Sequence, residues 1–285
     1  MKKPLIYLFF LFYLNVVALM GSTNLCVGSN ASGVTTNLAT NLTVSDLYIG
    51  YGSGSDSNTM NLITSNTLTV QGSLYVCYDG TSNTLSLNYE KASIQISDNS
   101  YLGYNSDATN GVITLSNSGF NINSDNTNYI GYSGSGNQVN IYSSRMSNGN
   151  AYIGYYSSSS NNTVTMNGTA ATAGSNSYWS NGESLYIGYQ GGSNLVTVEN
   201  TSTIKVSGTI YIGGTNTNDS NPTALNNIVT ISNNSALSNS GDLYIISSSN
   251  QLNVYNSSTN SNGGSLYIGY QGGSNSVTVE NTSTI

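Results

Sequence analysis

The amino-acid sequence predicts an all-β fold, namely a right-handed parallel β-helix of about nine coils, each with about 27 residues and three short strands. Three observations lead to this prediction. A phrase close to Leu-Tyr-Ile-Gly recurs along the chain, a phrase of the form Asn-x-apolar-polar-apolar follows each copy, and Gly, Ser and Asn separate the short alternating runs. A propeller blade of about 40 residues and a leucine-rich repeat with helical stretches both fit this period less well.

The Leu-Tyr-Ile-Gly phrase predicts the first strand of each coil. Because side chains alternate along a strand, we expect Leu185 and Ile187 to face inward and Tyr186 to face outward. The Gly that ends the phrase is expected at a bend, and Cys77 takes that position in one coil. The outward tyrosines would form a column that is a candidate contact surface, made of Tyr48, Tyr75, Tyr101, Tyr129, Tyr152, Tyr186, Tyr211, Tyr244 and Tyr267.

The second phrase predicts a turn followed by the second strand. Asn tolerates the left-handed backbone conformation, and its amide can bond to its own turn or to the neighbouring coil. The sequence therefore predicts a structural ladder rather than a binding site, made of Asn58, Asn83, Asn110, Asn137, Asn162, Asn194, Asn227, Asn250 and Asn275. A third apolar pair, such as Leu68/Val70 or Ile204/Val206, is visible in about half of the units.

The N-terminus predicts an export signal. Lys2 and Lys3 precede an apolar run from Leu5 to Met20, and an uncleaved anchor is the alternative. We expect a signal peptide or anchor at residues 1 to 22, a lead-in or cap at residues 23 to 41, and the solenoid at residues 42 to 285. Because the last copy of the repeat stops part of the way through a coil, we also expect truncation at the C-terminus.

Two irregular units predict loop insertions, near residues 167 to 184 and 214 to 226. The first contains Trp179, the single tryptophan of the chain. Trp179 is a candidate for stacking on a sugar, although loop aromatics more often fold back and cover the core.

Composition argues against several functional classes. Only 6% of the residues are charged, the formal net charge is −7, and there is no histidine. A chain without a basic patch is an unfavourable partner for nucleic acid. Arg145 is the single arginine and the acidic residues occupy differing places in their coils, so we expect no catalysis, no cofactor and no metal site. A disulfide between Cys26 and Cys77 is allowed in an exported protein but is not implied by two cysteines alone.

The repeat text is most regular at residues 185 to 204 and 266 to 285, where it reads Leu-Tyr-Ile-Gly-Tyr-x-Gly-Gly-Ser-Asn-x-Val-Thr-Val-x-Asn-x-Ser-Thr-Ile. It resembles the repeats of bacterial autotransporter (type V secretion) passengers and of PEP-CTERM-associated surface proteins. The resemblance covers most of residues 42 to 285 and implies a parallel β-helix displayed outside a bacterial cell, often in adhesion or in a surface layer. Many such repeats have Gly-Gly where this chain has Asn200 and Thr201.

Together these features predict an exported, non-catalytic rod at the bacterial surface or outer membrane, or secreted, that serves cell-surface structure or adhesion. Its partners would be host or matrix glycans or other surface proteins, with membrane contact only through the N-terminal segment or a C-terminal anchor beyond this sequence. The alternative is a glycan-binding or ice-binding β-helix that uses stacked rows of Tyr, Thr and Asn. A polysaccharide-degrading enzyme is the least favoured alternative, and outward tyrosines that only stabilise the strands are a further one.

Overall fold

The structure is a computed structural model that describes residues 6–7, 23–123, 125–168, 176–215 and 224–285. These residues form strands and turns, and the strands assemble into three parallel sheets that run along the whole length of the molecule. Each coil contributes one strand to each sheet. The structure thus confirms an all-β solenoid of about 9 coils with three strands and ~26 residues per coil. Its right-handed winding stays a prediction.

The strands are given sheet by sheet and numbered in chain order. Sheet A contains β1 (Ile6–Tyr7), β2 (Leu25–Ser29), β5 (Leu47–Tyr51), β8 (Leu74–Val76), β11 (Ser100–Leu102), β14 (Asn128–Ile130), β17 (Ala151–Ile153), β20 (Leu185–Ile187), β23 (Ile210–Ile212), β26 (Leu243–Ile246) and β29 (Leu266–Tyr270). Sheet B contains β3 (Thr35–Leu38), β6 (Thr59–Leu62), β9 (Thr84–Leu87), β12 (Val112–Ser116), β15 (Gln138–Tyr142), β18 (Thr163–Asn167), β21 (Leu195–Glu199), β24 (Ile228–Ile231), β27 (Gln251–Val254) and β30 (Ser276–Val279). Sheet C contains β4 (Leu42–Val44), β7 (Thr67–Val70), β10 (Ser93–Ile96), β13 (Gly119–Ile122), β16 (Arg145–Asn148), β19 (Tyr178–Asn181), β22 (Thr203–Val206), β25 (Ala236–Asn239) and β28 (Thr259–Asn262).

Neighbouring coils pair in register, so that equivalent residues form columns along the rod. In sheet A, Leu185 and Ile187 align with Ile210 and Ile212 of the next coil, and all four side chains are buried. Tyr186 lies between them on the outer side and is half-buried. The inner columns from all three sheets form one continuous hydrophobic core. The inward and outward assignment predicted from the period of two is therefore correct in these strands.

Sheet C shows why the third strand was only partly visible in the sequence. It is present in every coil from β4 to β28, but some of its inward positions carry asparagine. Asn148 and Asn181 are both buried in the core, and Asn148 Nδ2 donates to Asn181 Oδ1 at 2.7 Å. This bond lets a polar residue take an apolar position without breaking the column, although Asn181 Nδ2 has no hydrogen-bond partner among the described residues.

The coil turns three times, and the predicted asparagine ladder lies at the turn between sheets A and B. The corners before sheet C and before sheet A carry similar ladders of side-chain acceptors. At the corner before sheet C, backbone amides donate to the serine hydroxyl of the next coil, as Ser202 does to Ser235 and Ser235 to Ser258, both at 3.2 Å. At the corner before sheet A, Asp and Asn accept instead, for example Asp46 Oδ1 from the amide of Ser73 at 2.9 Å. Backbone groups that the sheets leave unpaired at the bends are thereby satisfied by side chains.

The domain predictions are partly revised by these strands. Residues 23 to 41, predicted as a lead-in or cap, contain β2 and β3, which already pair in register with the strands of the next coil. The first insertion is shorter than expected, because Tyr178–Asn181 forms β19. Residues 169–175 of that insertion, residues 216–223 of the second, and all but Ile6 and Tyr7 of the predicted signal segment lie outside the described residues.

Candidate functional surface: the tyrosine columns

The outer face of sheet A carries the predicted tyrosine column. Its nine rings stack on one another from Tyr48 to Tyr267, with centroid separations from 4.4 Å between Tyr152 and Tyr186 to 5.4 Å between Tyr211 and Tyr244. The interplanar angle never exceeds the 12° found between Tyr129 and Tyr152. The strand register sets this spacing, because each ring is carried by the same position of successive coils.

A second tyrosine column, which was not predicted from the sequence, runs beside the first. It is formed by the tyrosines three residues further along the chain, namely Tyr51, Tyr78, Tyr104, Tyr132, Tyr155 and Tyr189. Its rings meet the first column edge to face, as Tyr101 and Tyr104 do at 5.2 Å and 87°. The signal was present as the second Tyr in Leu-Tyr-Ile-Gly-Tyr, but a period of two does not extend past the bend at Gly.

This geometry limits how the surface can bind a ligand. The faces of the first column are covered by neighbouring tyrosines, and edges from the second column cover one side. A sugar that stacks on an aromatic residue needs a free ring face. The columns therefore present hydroxyl groups and ring edges, so hydrogen bonding is the favoured mode of contact.

Burial raises the pKa of several phenols in the first column. Desolvation is the main cause that raises the pKa of Tyr75 and of Tyr129 to about 12. It also raises the pKa of Tyr48 and Tyr152, and neighbouring phenols add to the effect for Tyr152. The phenols of the columns are uncharged at neutral pH and offer hydroxyls that can both donate and accept, and acidic side chains such as Asp46 and Asp242 lie beside them.

The asparagine ladder lies inside the corner between sheets A and B. In most steps a side-chain oxygen accepts from both the backbone N and the Nδ2 of the preceding member, as when Asn162 N and Nδ2 donate to Asn194 Oδ1 at 3.0 and 3.1 Å. At the last step Asn275 Oδ1 accepts, among the described residues, only from the backbone N of Asn250, at 2.9 Å. Eight of the nine predicted residues form the ladder in two segments, Asn58 with Asn83, and Asn137, Asn162, Asn194, Asn227, Asn250 and Asn275. These contacts assign the ladder to the fold and leave it inaccessible to ligands.

Asn110 was wrongly placed in this ladder. Its side chain is exposed, and the ladder position is taken by Gly111, whose amide donates to Asn137 Oδ1 at 2.9 Å. The missing acceptor is supplied by Cys77 Sγ, which lies 3.3 Å from Asn83 N and 3.5 Å from Asn83 Nδ2. Cys77 thus does more than tolerate a corner, because its thiol replaces the amide oxygen that Gly111 lacks.

The same corner explains the glycine position. At Gly50, φ is +77° and an added Cβ would lie 2.1 Å from Asn83 Nδ2, so the ladder asparagine leaves room only for glycine. Cys77 has φ +56° and fits because Gly111 provides the space. Cys26 and Cys77 are both buried free thiols, and burial raises the pKa of each to about 11.

Trp179 was wrongly included among the candidate surface contacts. It is fully buried in β19, where it aligns with Met146 and Ile204 of the adjacent coils. Its indole Nε1 donates to Asn148 Oδ1 at 2.8 Å. The alternative expectation, that this aromatic covers the core, is the correct one.

Several acidic side chains serve as acceptors at turns. Asp56 Oδ1 accepts from the amide of Thr81 at 2.7 Å, and Asp79 Oδ2 accepts from the amide of Gly52 at 3.0 Å. Arg145 lies 5.8 Å from the ring centroid of Tyr178, in cation–π geometry. In the described ranges, no three side chains of the His, Cys, Asp or Glu types come together as a set that could hold a metal ion.

Searches against protein-family models, curated proteins and solved structures give no significant match. Among the residues that the structure describes, no helix is long and apolar enough to span a membrane.

Proposed function

We propose that this chain is an exported, non-catalytic rod of adhesin or autotransporter-passenger type, which supports cell-surface structure or adhesion. The observation that carries the proposal is the combination of one continuous core with regular outer rows in a chain of which only 6% of the residues are charged. At ~4.8 Å per coil, the stacked coils extend over roughly 45 Å.

The outer faces favour many weak contacts over one specific site. Sheet B presents Thr165, Thr197 and Thr230 at the same outward position of three successive coils. Sheet A presents the tyrosine hydroxyls, and the chain has 5 basic and 12 acidic residues in 285. Hydroxyl and amide groups in regular rows suit hydrogen bonding to glycans, which are the partners that we propose.

Adhesion of beads that carry the purified chain tests this proposal. The beads are applied to surfaces coated with different polysaccharides at low and at high ionic strength. Because contacts between uncharged groups are not screened by salt, we expect attachment to a subset of glycans that persists at high salt. Loss of attachment at high salt would assign adhesion to the acidic residues and contradict the proposal.

Ice binding is the second candidate, favoured by the aligned threonines of β18, β21 and β24. The row is not continuous, because Asn140 and Asn253 occupy the equivalent positions on either side. A thermal hysteresis measurement on the same preparation separates the two candidates. Hysteresis without attachment to any glycan would reverse their order.

A further inference from the structure

One exposed tyrosine, Tyr156, lies beside the second tyrosine column. Tyr156 follows Tyr155 in the chain, and its ring meets Tyr132 and Tyr155 edge to face, with centroid separations of 5.1 and 4.9 Å. The hydroxyl oxygens of Tyr132 and Tyr156 are 3.5 Å apart. Tyr156 is 41% exposed, whereas Tyr132 and Tyr155 are half-buried among their neighbours. Tyr156 is therefore a more exposed ring that contacts the second column.

We propose that Tyr156 is an oxidative coupling site, at which one-electron oxidation of the tyrosine columns ends in a dityrosine bond to Tyr156 of a second copy of this chain. The oxidant is a peroxidase with hydrogen peroxide. This modification goes beyond the proposed function and does not depend on it.

The reaction balances without any further reactant. Each of two tyrosines gives one electron to the peroxidase and one proton to water, which leaves a phenoxyl radical. The two radicals join through the ring carbons next to the hydroxyls, and the hydrogen of each joined carbon moves to its oxygen. Two phenols and one hydrogen peroxide thus give one dityrosine and two water molecules.

Ring contacts provide the route to Tyr156. The oxidant can react at any phenol of the columns, because neighbouring rings lie at contact distance along both of them, for example 5.2 Å between Tyr132 and Tyr155. When the radical reaches Tyr132, an electron passes through the ring contact and a proton crosses between the two hydroxyl oxygens. Tyr132 is then restored and Tyr156 carries the radical.

Access explains why coupling ends at Tyr156. The rings of Tyr132 and Tyr155 stack on their neighbours and are half-buried, so a second chain reaches the exposed ring of Tyr156 more readily. Tyr156 is followed by four serines, residues 157 to 160, which carry no charge. Two copies can approach each other at this point without repulsion between like charges.

Tyr89 provides the matched control. It is 49% exposed, which is more than Tyr156, but it has no aromatic neighbour within the described part of the chain. Exposure alone predicts that Tyr89 couples first, whereas delivery through the columns predicts Tyr156.

The test treats the full chain with horseradish peroxidase and hydrogen peroxide. Dityrosine fluorescence and covalent dimers are measured, and the joined residues are mapped by peptide mass spectrometry. We expect Tyr156→Phe to lose most of the dimer and Tyr89→Phe to retain it. Phenylalanine keeps the ring packing, so both variants are expected to fold. Peptide mapping also distinguishes dimers joined at Tyr156 from dimers joined at Tyr267 or Tyr270, two exposed tyrosines of the last coil.

A second variant tests delivery separately from exposure. Tyr132→Phe leaves Tyr156 exposed but removes the hydroxyl beside it, so coupling at Tyr156 is expected to fall. Wild-type coupling at Tyr156 in this variant would overturn the proposed route. Dimers joined mainly through any tyrosine other than Tyr156 would overturn the proposed site.

Discussion

The asparagine ladder and the first tyrosine column both place one residue type in successive coils. They differ in how many of their hydrogen-bonding groups remain available to solvent. The amide oxygen of Asn194 accepts two hydrogen bonds inside the corner, and its Nδ2 donates to Gly191 O and Asn227 Oδ1. The tyrosines pair through their ring faces and leave their hydroxyls near the solvent. The same repetition thus holds the fold together at one position and supplies the outer surface at the other.

The two kinds of column also tolerate interruption differently. The second tyrosine column has Gly214 and Ser247 where other coils have tyrosine. β23 and β26 remain aligned, and the register between β26 and β29 shifts only at Ile245/Ile246, beside Ser247. The asparagine ladder is interrupted at Gly111, where a side chain is missing. Cys77 fills the space beside Gly111, and its Sγ accepts the hydrogen bond from Asn83 N. Buried columns therefore change by compensated pairs, whereas outer columns can change one residue at a time.

The largest expected effect concerns alkaline pH and the tyrosine columns. Free tyrosine has a pKa of 10.0, and burial raises that of Tyr75 and Tyr129 to about 12. The resulting stabilisation is complete below pH 10 and is lost as the pH rises towards 12, because the unfolded chain loses its protons first. We expect the tyrosinate absorbance of the buried column members to rise only together with unfolding, which is followed by circular dichroism. A tyrosinate signal that reaches its full value while the chain is still folded would show that the columns are open to solvent.

The second prediction breaks the asparagine ladder. Asn194→Ala leaves Asn162 N and Nδ2 without their acceptor in a buried corner, and we expect a loss of about 3 kcal/mol in the free energy of unfolding. Urea unfolding measures the loss, and amide hydrogen exchange at Asn162 locates it. Asn110→Gly is the control, since it keeps a residue suited to the left-handed backbone there and is expected to change stability by less than about 0.5 kcal/mol. Equal effects of the two substitutions would show that the ladder does not stabilise the rod.

The third prediction tests the compensation between Cys77 and Gly111. In Gly111→Asn the new Cβ would lie 2.8 Å from Cys77 Sγ, and we expect a loss of about 2 kcal/mol. Cys77→Gly removes the acceptor of Asn83 and is expected to cost about 1 kcal/mol. Together the substitutions rebuild the ladder step found elsewhere, so the double variant should be more stable than the sum of the single losses predicts, by about 1 to 3 kcal/mol. Strictly additive losses would contradict the compensation.

The smallest expected effect concerns a single ring of the first column. Tyr186→Ala removes stacking on Tyr152 and Tyr211, and we expect a loss of about 1 kcal/mol in thermal or urea unfolding. Tyr186→Phe keeps the ring and should change stability by less than about 0.5 kcal/mol. A large effect of the phenylalanine variant would assign the stabilisation to the hydroxyl and not to the stacked ring.

Most of the fold could be predicted because equivalent positions of successive repeats align, and this alignment gives the register between neighbouring coils. Apolar residues such as Leu185 and Ile187 return at fixed positions, and alternation then decides which side chains face the core. The third strand was harder to find because Asn148 and Asn181 occupy inward positions, where their pairing and not their hydropathy makes them acceptable. The strand character of Tyr178–Asn181 was hidden for the same reason.

The candidate surface was predicted in part. The first tyrosine column follows from the period, but the second begins beyond a bend, where the direction of Tyr189 relative to Tyr186 depends on the turn. Asn110 was selected over Gly111 because the sequence shows residue types and not which of two adjacent positions enters the corner. Nor could the sequence show that Cys77 accepts from Asn83, since that contact depends on a glycine 34 residues away, in the coil on the other side.

The repeated register has an evolutionary consequence. Because each regular coil offers the same partners above and below, recombination between similar stretches of the gene, such as those encoding residues 185 to 204 and 266 to 285, can add or delete whole coils and still leave matched neighbours. The length of the rod can therefore vary among descendants in steps of ~4.8 Å. Cys77 and Gly111 restrict this process, because a crossover between them would separate a thiol from the space it fills. The coils that contain them are expected to be inherited as a pair.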